Sequence, residues 1–430
     1  MKISPARIAA FEILIRIERE RAFSSALLPL YEQDLAENDR GLCHQLTLGV
    51  LRKQLYLDAV IARLAPGKKL DTEVVISLRL GLFQLFFLDK VPDYSAISES
   101  VNLVQYAKKT SAKGFVNAVL RRAAREEVRL TFSDEVEKVS IETSHPRWLV
   151  EKWIGEFGNE SAAAIATANN VIPRQAFRLT PNGVKNGIAV PDDAVESLHV
   201  KGCFWVDRTD NELIELANAG DIYFQDEGSQ LVGSVVDIPE RGRFLDVCAA
   251  PGSKTSMTAE RFGTGSRMLV AGDLHSSRVR ILRENCCRQG VSDVAFVQYD
   301  AEKALPFADA SFDTVLVDAP CSGTGTIRHN PEIRYSLEET DFAELHSKQL
   351  AILRNASNLV SLGGTLIYST CSLEREENEA VVHDFLSSSD SFEVGWSTLP
   401  EAFRASNGFA RTFPHRDNMD GFFIATLIRV

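Results

Sequence analysis

The sequence lacks the patterns that mark several classes of protein. Its seven cysteines include no Cys-x-x-Cys pair, and Cys286 and Cys287 are adjacent, so we expect neither a metal site nor a disulfide framework. The densest apolar patch, which begins at Gly81, is too short to span a membrane and contains Gln84. The N-terminal residues carry charges throughout, unlike a signal peptide. These absences predict a cytoplasmic protein without membrane contact.

Basic side chains are also scarce overall. The net charge is −12 at pH 7, which argues against a protein that coats nucleic acid over its whole surface. One stretch departs from this balance, because residues 108–125 contain six bases and no acid. The six bases are Lys108, Lys109, Lys113, Arg121, Arg122 and Arg125. Such a stretch forms either a solvated helix face or a phosphate-binding face, and its composition favours neither.

The length and the periodicity predict several domains. A chain of 430 residues, 45% of them hydrophobic, exceeds one ordinary core. Residues 1–140 show helical periodicity and predict an all-α domain. Residues 147–235 mix helical and strand-like runs and predict a small α+β domain. Residues 236–430 alternate strand-like and helical runs, which predicts a Rossmann-like α/β domain with parallel strands.

Five strand-like runs in residues 236–430 carry the candidate site. They are "RFLDVCAA", "RMLVAGDL", "DVAFVQYD", "FDTVLVDAP" and "GTLIYSTCS". Ligands of open parallel sheets lie beyond the carboxyl ends of the strands, so the residues that follow each run are the candidates. The C-terminal run "DGFFIATLIRV" predicts one more strand, at the edge of the sheet.

The first run leads into a loop of small residues, "DVCAAPGSKT". Small side chains let a backbone approach a ligand, and the start of the following helix offers free N–H groups. The glycine spacing matches neither a dinucleotide-binding loop nor a P-loop, which disfavours phosphate as the ligand. The candidate binding residues here are Cys248, Ala249, Ala250, Pro251, Gly252, Ser253 and Lys254.

The second and third runs end in acids. Asp273 is placed to accept hydrogen bonds from ribose hydroxyls, or else it caps the next helix. Asp300 is placed to meet an adenine amine or the ribose, or else it is a turn residue. Together with the small-residue loop, these acids predict an adenosine ligand without a required pyrophosphate. S-adenosylmethionine is the ligand that fits this description.

The fourth and fifth runs end in cysteines. Cys321 follows Asp318 in "DAPCSG", and Cys371 lies in "STCS". Because neighbouring strands lie about 4.8 Å apart, both thiols should open into one crevice, within ~10 Å of each other. The other five cysteines are predicted to be small buried hydrophobic side chains. They are Cys43, Cys203, Cys248, Cys286 and Cys287.

Thiols beside a methyl donor suit the methylation of a pyrimidine at carbon 5. A thiolate that adds to carbon 6 makes carbon 5 nucleophilic, and an acid such as Asp318 at ring nitrogen 3 and the exocyclic amine assists the addition. A free thiol has a pKa of about 8.5, so the site must favour the thiolate. Lys254 and Arg328 are the candidate bases for this effect. The residues alone leave open whether Cys321 or Cys371 attacks.

The motifs "DVCAAPGSKT", "DAPCSGTG" and "YSTCSLEREENE" are similar to those of RNA cytosine-5 methyltransferases, in particular the bacterial small-subunit rRNA enzymes of the Sun/Fmu type. The resemblance covers the whole chain. The helical domain with "GFVNAVLRR" resembles the NusB-like RNA-binding domain of that family, and residues 147–235 resemble its RNA-positioning subdomain. The resemblance implies a methyltransferase that acts on 16S rRNA. A monomer is the expected state.

The resemblance also assigns residues. It implies that the loop from Cys248 to Lys254 cradles S-adenosylmethionine and that three acids complete this site. Those acids are Asp273, Asp300 and Asp318. Cys371 would be the nucleophile, and Cys321 would assist product release. Ser253 departs from the family, which usually has a second glycine there, but serine is small enough for binding to survive.

Two alternatives compete with this assignment. DNA cytosine-5 methyltransferases carry their nucleophile on a Pro-Cys motif, which would make Cys321 the attacking thiol. The Thr-Cys motif and the helical domain argue against this alternative. A non-enzymatic RNA-binding or antitermination factor would explain the helical domain, but it would have no use for two cysteines, Asp318 and a complete cofactor edge.

Overall fold

The computed structural model describes residues 3–262, 267–395, 401–405 and 407–430. Residue contacts divide the chain into two compact units. The first contains residues 1–171 and 327–339, and the second contains residues 172–326 and 340–430. The three-domain division predicted from the sequence and the monomeric state stay predictions. None of the helices in the described ranges combines the length and the apolar character that a membrane crossing requires.

The first unit is helical, as the periodicity of its sequence predicts. Its N-terminal helices are α1 (Pro5–Glu20), α2 (Ser24–Glu32), α3 (Glu37–Arg52), α4 (Gln54–Leu64), α5 (Thr72–Phe87), α6 (Asp93–Tyr106), α7 (Lys113–Ala123), α8 (Glu135–Thr143), α9 (Arg147–Phe157) and α10 (Asn159–Ala168). Helix α5 is apolar on nearly all sides and packs against α1, α3, α4, α6 and α7. Its buried Arg79 is neutralised by Asp58, which accepts two hydrogen bonds of 2.7 Å.

Residues 327–339 interrupt the second unit in sequence and pack inside the first. Arg334 is 0% exposed and donates hydrogen bonds of 3.0 Å to the Thr143 carbonyl and to Asn170 Oδ1. The hydroxyl of Tyr335 donates to the Leu51 carbonyl at 2.7 Å. A buried guanidinium is tolerated only where its N–H groups find acceptors, so these bonds anchor the segment to the helices.

The second unit begins with a small antiparallel sheet of strand order β2-β3-β1-β4. Its strands are β1 (Gln175–Leu179), β2 (Val195–Glu196), β3 (Phe204–Val206) and β4 (Ile222–Phe224), with helices α11 (Pro181–Lys185), α12 (Asn211–Ala219) and α13 (Glu227–Ser234). Strands β1 and β3 lie in the runs "RQAFRLTP" and "GCFWVDRT". Phe177 and Ile222 from the sheet pack with Leu213 of α12 in a small separate core.

The large sheet of the second unit has the order β10-β12-β9-β8-β5-β6-β7, and β11 pairs with β12. Its strands are β5 (Arg243–Asp246), β6 (Met268–Asp273), β7 (Val294–Gln298), β8 (Phe312–Asp318), β9 (Val360–Thr370), β10 (Phe392–Val394), β11 (Ala410–Arg411) and β12 (Phe423–Arg429). The remaining helices are α14 (Ser253–Phe262), α15 (Ser276–Arg288), α16 (Ile333–Ser336, in the first unit), α17 (Asp341–Ser357), α18 (Glu379–Ser387) and α19 (Pro414–Asp417).

The five predicted strands β5 to β9 are present and run parallel to one another. Their carboxyl ends therefore share one edge of the sheet. The prediction of an edge position for the C-terminal strand was wrong, because β12 runs antiparallel between β9 and β10. The physical reason lies in its composition: residues 423–427 are all buried, as expected for a strand covered on both faces.

Candidate active site

A cavity of about 400 Å³ opens at the carboxyl ends of β5 to β9. Many of the predicted site residues line it: Cys248, Ala250, Asp273, Asp300, Asp318, Cys321 and Cys371. The cavity brings residues from five strand ends together, as the parallel topology predicts. Its size lies within the range of about 300–1,000 Å³ that is usual for small-molecule sites.

The loop after β5 is held tightly beside this cavity. The N–H of Ala250 donates to Asp273 Oδ2 at 3.2 Å, and the N–H of Gly252 donates to the Ala249 carbonyl at 2.7 Å. Gly252 has φ +105°, and a Cβ there would lie 2.9 Å from Leu282. Glycine is therefore required at this turn. The other predicted loop residues are not among those that line the cavity: Ala249, Pro251, Gly252, Ser253 and Lys254. Helix α14 begins at Ser253.

Asp273 accepts a hydrogen bond from the loop after β5 and does not cap a helix. Helix α15 begins at Ser276 with His275 before it, and no side chain caps it. Asp273 Oδ1 instead accepts the N–H of Leu274 at 2.9 Å and lies 3.4 Å from Arg278 Nε. The alternative assignment of Asp273 as a helix cap is thus excluded.

Asp300 is a turn residue, which was one of its two predicted assignments, and its contact with an adenosine stays a prediction. It accepts the N–H of Glu302 at 3.1 Å within a turn, and it also lines the cavity. Its hydrogen bond with Lys303, 2.9 Å away, lowers the pKa of its carboxyl group. Asp300 is therefore an anion at the end of the cavity formed by β6 and β7.

Tyr299 and Gly272 are among the residues of the site that were not predicted from the sequence, and Arg278 and Lys348, which also line the cavity, are others. The ring of Tyr299 lies against Gly272, where a Cβ would come within 2.3 Å of it. The Tyr299 hydroxyl donates to the Val247 carbonyl at 3.2 Å, and burial raises its pKa. Tyr299 thus forms a wall of the cavity that needs a glycine on the neighbouring strand. The signals were an aromatic residue after β7 and a glycine near the end of β6.

The two thiols meet at the ends of β8 and β9. Asp318 pairs with Ser369 across these strands, which brings Cys321 Sγ within 3.3 Å of Cys371 Sγ. The hydrogen bond with Cys371 and burial raise the pKa of Cys321 well above its ordinary value. Cys321 therefore keeps its proton at neutral pH, and either sulfur can be the donor in the contact between the two thiols.

A buried ion pair lies beside the thiols. Lys254 Nζ is 2.7 Å from Asp318 Oδ2, and Ser369 Oγ donates to Asp318 Oδ1 at 2.8 Å. Burial alone would lower the pKa of Lys254, but the charge and hydrogen bond of Asp318, together with Cys371 and Asp246, outweigh it and the pKa is raised. Lys254 is therefore an ammonium group in this site. The other candidate base, Arg328, belongs to the first unit.

The predicted burial of the remaining cysteines holds for three of them. Cys43, Cys203 and Cys286 are buried, and Cys248 is half-buried in the cavity wall. The prediction was wrong for Cys287, which is exposed. Adjacent residues on a helix point in different directions, so only one of two neighbouring cysteines on α15 can face the core.

Asp246, at the end of β5, is a buried acid below the loop. It is 1% exposed, and its Oδ2 accepts the Thr255 hydroxyl at 2.7 Å. Its Oδ1 has no hydrogen-bond partner within the described part of the chain. Burial raises the pKa of Asp246 to about 7.

The pKa of Asp246 predicts a pH-dependent stability. An unfolded Asp has a pKa of about 3.9, so the folded state binds one more proton between about pH 4 and 7. The free energy of unfolding should therefore fall as the pH rises through this window. We expect D246N to match the wild type near pH 4 and to exceed its stability at pH 8, as measured by urea unfolding.

Asp293→Asn, at an exposed position, is the control for this experiment. An equal difference between D246N and the wild type at both pH values would contradict the assignment of a raised pKa to Asp246.

The site suits an adenosine-containing methyl donor. The carboxylates of Asp273 and Asp300 lie on the side of β6 and β7, and the thiols lie on the side of β8 and β9. Carboxylates can accept the hydrogen bonds of ribose hydroxyls. The two thiols then lie at the opposite side of the same cavity.

Comparisons with known proteins agree with both parts of the fold. The model of the family described as 16S rRNA methyltransferase RsmB/F matches residues 234–428, and the model of the NusB family matches residues 4–125. The predicted fold class, an all-α NusB-like domain followed by a Rossmann-like methyltransferase domain, is confirmed. S-adenosylmethionine is the cofactor of this methyltransferase family, as predicted.

Two relatives and two solved structures extend over most of the chain. The probable ribosomal RNA small subunit methyltransferase B of Bacillus subtilis is 35% identical, over 99% of each protein. Ribosomal RNA small subunit methyltransferase B of Pseudomonas putida is 32% identical, over 99% of this chain and 98% of the relative.

The crystal structure of PH0851 has a TM-score of 0.82 and 25% identity and covers 99% of both chains. The structure of NSun6 from Pyrococcus horikoshii with SFG has a TM-score of 0.56 and 21% identity, covers 66% of this chain and 98% of that one, and shows a shared fold. The chain therefore belongs to the RsmB/F family of 16S rRNA methyltransferases, whose methyl donor is S-adenosylmethionine.

Proposed function

We propose that the protein methylates carbon 5 of a cytosine in 16S rRNA, with Cys371 as nucleophile. The observation that carries this proposal is the pair of thiols, 3.3 Å apart, beside the ion pair of Lys254 and Asp318. Methylation of an exocyclic amine or a ribose hydroxyl would need no thiol. The names of the relatives support rRNA of the small subunit as the substrate.

The thiols solve a specific chemical problem, because carbon 5 of cytosine is a poor nucleophile. S-adenosylmethionine supplies a methyl group as an electrophile. The Cys371 thiolate adds to carbon 6, and the new Sγ–C6 bond makes carbon 5 able to take the methyl group. Carbon 5 then gives up its proton to water, the Sγ–C6 bond breaks, and the thiolate is restored.

Lys254 and Asp318 would assist the addition together. Attack at carbon 6 pushes negative charge toward ring nitrogen 3. The Lys254 ammonium can donate a hydrogen bond to this nitrogen, while the Asp318 carboxylate accepts one from the exocyclic amine. Because Ser369 already orients Asp318, the pair needs little rearrangement when charge develops.

Cys321 would act on release. Its Sγ lies 3.3 Å from Cys371 Sγ, so its S–H can donate to the thiolate that departs from carbon 6 and stabilise it. Its raised pKa keeps that proton available at neutral pH. Without this hydrogen bond the covalent adduct should persist.

The basic stretch of residues 108–125 supports contact with RNA. Helix α7 buries Val116, Val119 and Leu120 on one side, and Arg121 and Arg122 are exposed on the other. Such a face can bind phosphates in an otherwise acidic protein. The target cytosine must also leave its stack to reach the thiols in the cavity.

A covalent trap tests the proposal. The wild-type protein is incubated with S-adenosylmethionine and 16S rRNA that contains 5-fluorocytosine. Fluorine at carbon 5 blocks the loss of a proton, so a protein–RNA adduct should accumulate and survive denaturing electrophoresis. Methylation mapping of rRNA from a deletion strain would identify the cytosine. The proposed reaction would be refuted if no adduct formed and if the rRNA of the deletion strain kept every 5-methylcytosine of the parent strain.

A further inference from the structure

Glu377 is a buried acid that the mechanism above does not use. It lies in the short turn Arg375–Glu377 between β9 and α18, and it is 0% exposed. Within the described residues, no Lys or Arg side chain forms an ion pair with it. A buried carboxylate without a cation is costly unless several hydrogen bonds stabilise its charge.

Those hydrogen bonds come from the two cysteine loops. Glu377 Oε1 accepts the N–H of Ser322 at 2.8 Å, and Oε2 accepts the hydroxyls of Ser322 and, at 2.5 Å, of Ser372. Ser322 directly follows Cys321, and Ser372 directly follows Cys371. One carboxylate therefore ties together the backbones that carry both thiols.

Neighbouring residues hold the carboxylate in place. Gln349 of α17 donates through Nε2 to Glu377 Oε1 and to the Pro320 carbonyl, both at 2.9 Å. Asn378 donates to the Ser372 carbonyl at 2.9 Å, but it reaches only the loop of Cys371. Glu377 thus bridges the two loops through one carboxylate, beside a direct contact of 3.2 Å between the Ser322 and Ser372 hydroxyls.

The charge of Glu377 also acts on Cys321. The hydrogen bond with Cys371 and burial are the main causes of the raised pKa of Cys321, and the negative charge of Glu377 adds to them. The same carboxylate therefore sets the position of both thiols and helps Cys321 to keep its proton.

We propose that Glu377 is a positioning residue that keeps the two Sγ atoms in contact, so that attack by Cys371 is followed by prompt release. This inference rests on the proposed function, because it assumes that both thiols act on one cytosine. It predicts effects on the chemical steps without an effect on RNA affinity.

The test uses E377A and E377Q in the full-length protein. E377A removes the carboxylate that bridges the two loops, so the thiols can move relative to each other. A misplacement of about 1 Å should lower single-turnover methyl transfer about 100-fold. The Kd for 16S rRNA should stay unchanged. E377Q preserves the shape, because the serine hydroxyls can accept hydrogen bonds from an amide, but it removes the charge. In E377Q the pH profile of Cys321 alkylation by iodoacetamide should shift to lower pH.

E379Q is the matched control. Glu379 is also buried, lies two residues further on, and pairs with Arg411 at 3.1 Å rather than with either cysteine loop. We expect E379Q to match the wild type in methyl transfer and in the alkylation profile. Should E377A fail to fold, E377Q still carries the test.

The outcomes separate the two proposals. Wild-type methyl transfer and alkylation profiles in both Glu377 variants would overturn the positioning role. A wild-type protein that forms no adduct with 5-fluorocytosine RNA would instead overturn the proposed function. The alkylation profile needs no RNA, so it still tests the effect of Glu377 on Cys321 in that case.

Discussion

C371A is expected to form no adduct with 5-fluorocytosine RNA and to lose methyl transfer by about 10⁴-fold or more, because the attacking atom is gone. C321A is expected to behave differently. It should still attack ordinary 16S rRNA, but the departing thiolate loses the hydrogen bond from the neighbouring sulfur. An adduct with unmodified cytosine should therefore accumulate, visible as a shifted band on a denaturing gel.

The matched control is C287A, which removes an exposed thiol from α15 outside the site. It should methylate RNA like the wild type and leave no persistent adduct. The opposite pattern, in which C321A abolishes the adduct and C371A retains it, would show that Cys321 of the Pro-Cys motif is the nucleophile. The assignment of both thiols would then have to be reversed.

The second large effect is expected for D318N. The substitution preserves the shape of the side chain but leaves Lys254 buried without a countercharge. Loss of assisted addition should lower methyl transfer about 10²- to 10⁴-fold. Because Asp318 contributes most to raising the pKa of Lys254, and burial opposes it, that pKa should fall in the variant. The alkaline limb of the pH–activity profile, where Lys254 loses its proton, should therefore lie at lower pH in D318N than in the wild type.

E260Q controls for the loss of a buried ion pair. Glu260 lies 2.8 Å from Arg178, and the side-chain exposures of that pair, 29% and 4%, resemble those of Asp318 and Lys254, 27% and 9%. Both variants should lower the melting temperature to a similar extent. Only D318N should lose methyl transfer and adduct formation, measured with labelled S-adenosylmethionine. Equal activities in the two variants would remove Asp318 from the mechanism.

Much of the site was predictable because its residues follow strands. The periodicity of residues 243–370 encodes the strands locally, and a parallel sheet brings the carboxyl ends to one edge whatever the helices between them contain. Asp273, Cys321 and Cys371 could therefore be assigned to a common cavity. The small-residue loop was recognisable because it follows β5. Its Gly252 is needed at a turn with positive φ.

Other features depended on contacts that no local pattern encodes. The edge prediction for β12 failed because strand order is decided by which apolar faces become covered. Cys287 is exposed because α15 turns only one side to the sheet. Residues 327–339 pack with the helical unit, through the buried Arg334, although they lie between two strands of the other unit in sequence.

The sequence by itself determined which side chains arrive at the edge of the sheet, because strand periodicity and the parallel connection are local properties of the chain. Only the tertiary structure decided which of them touch. Lys254 meets Asp318 at 2.7 Å, and Glu377 reaches Ser322 in the other cysteine loop at 2.8 Å, although the members of each pair are distant in sequence. Such pairings follow from the close packing of separate elements, where each buried charge must find its partners among the groups that packing brings within reach.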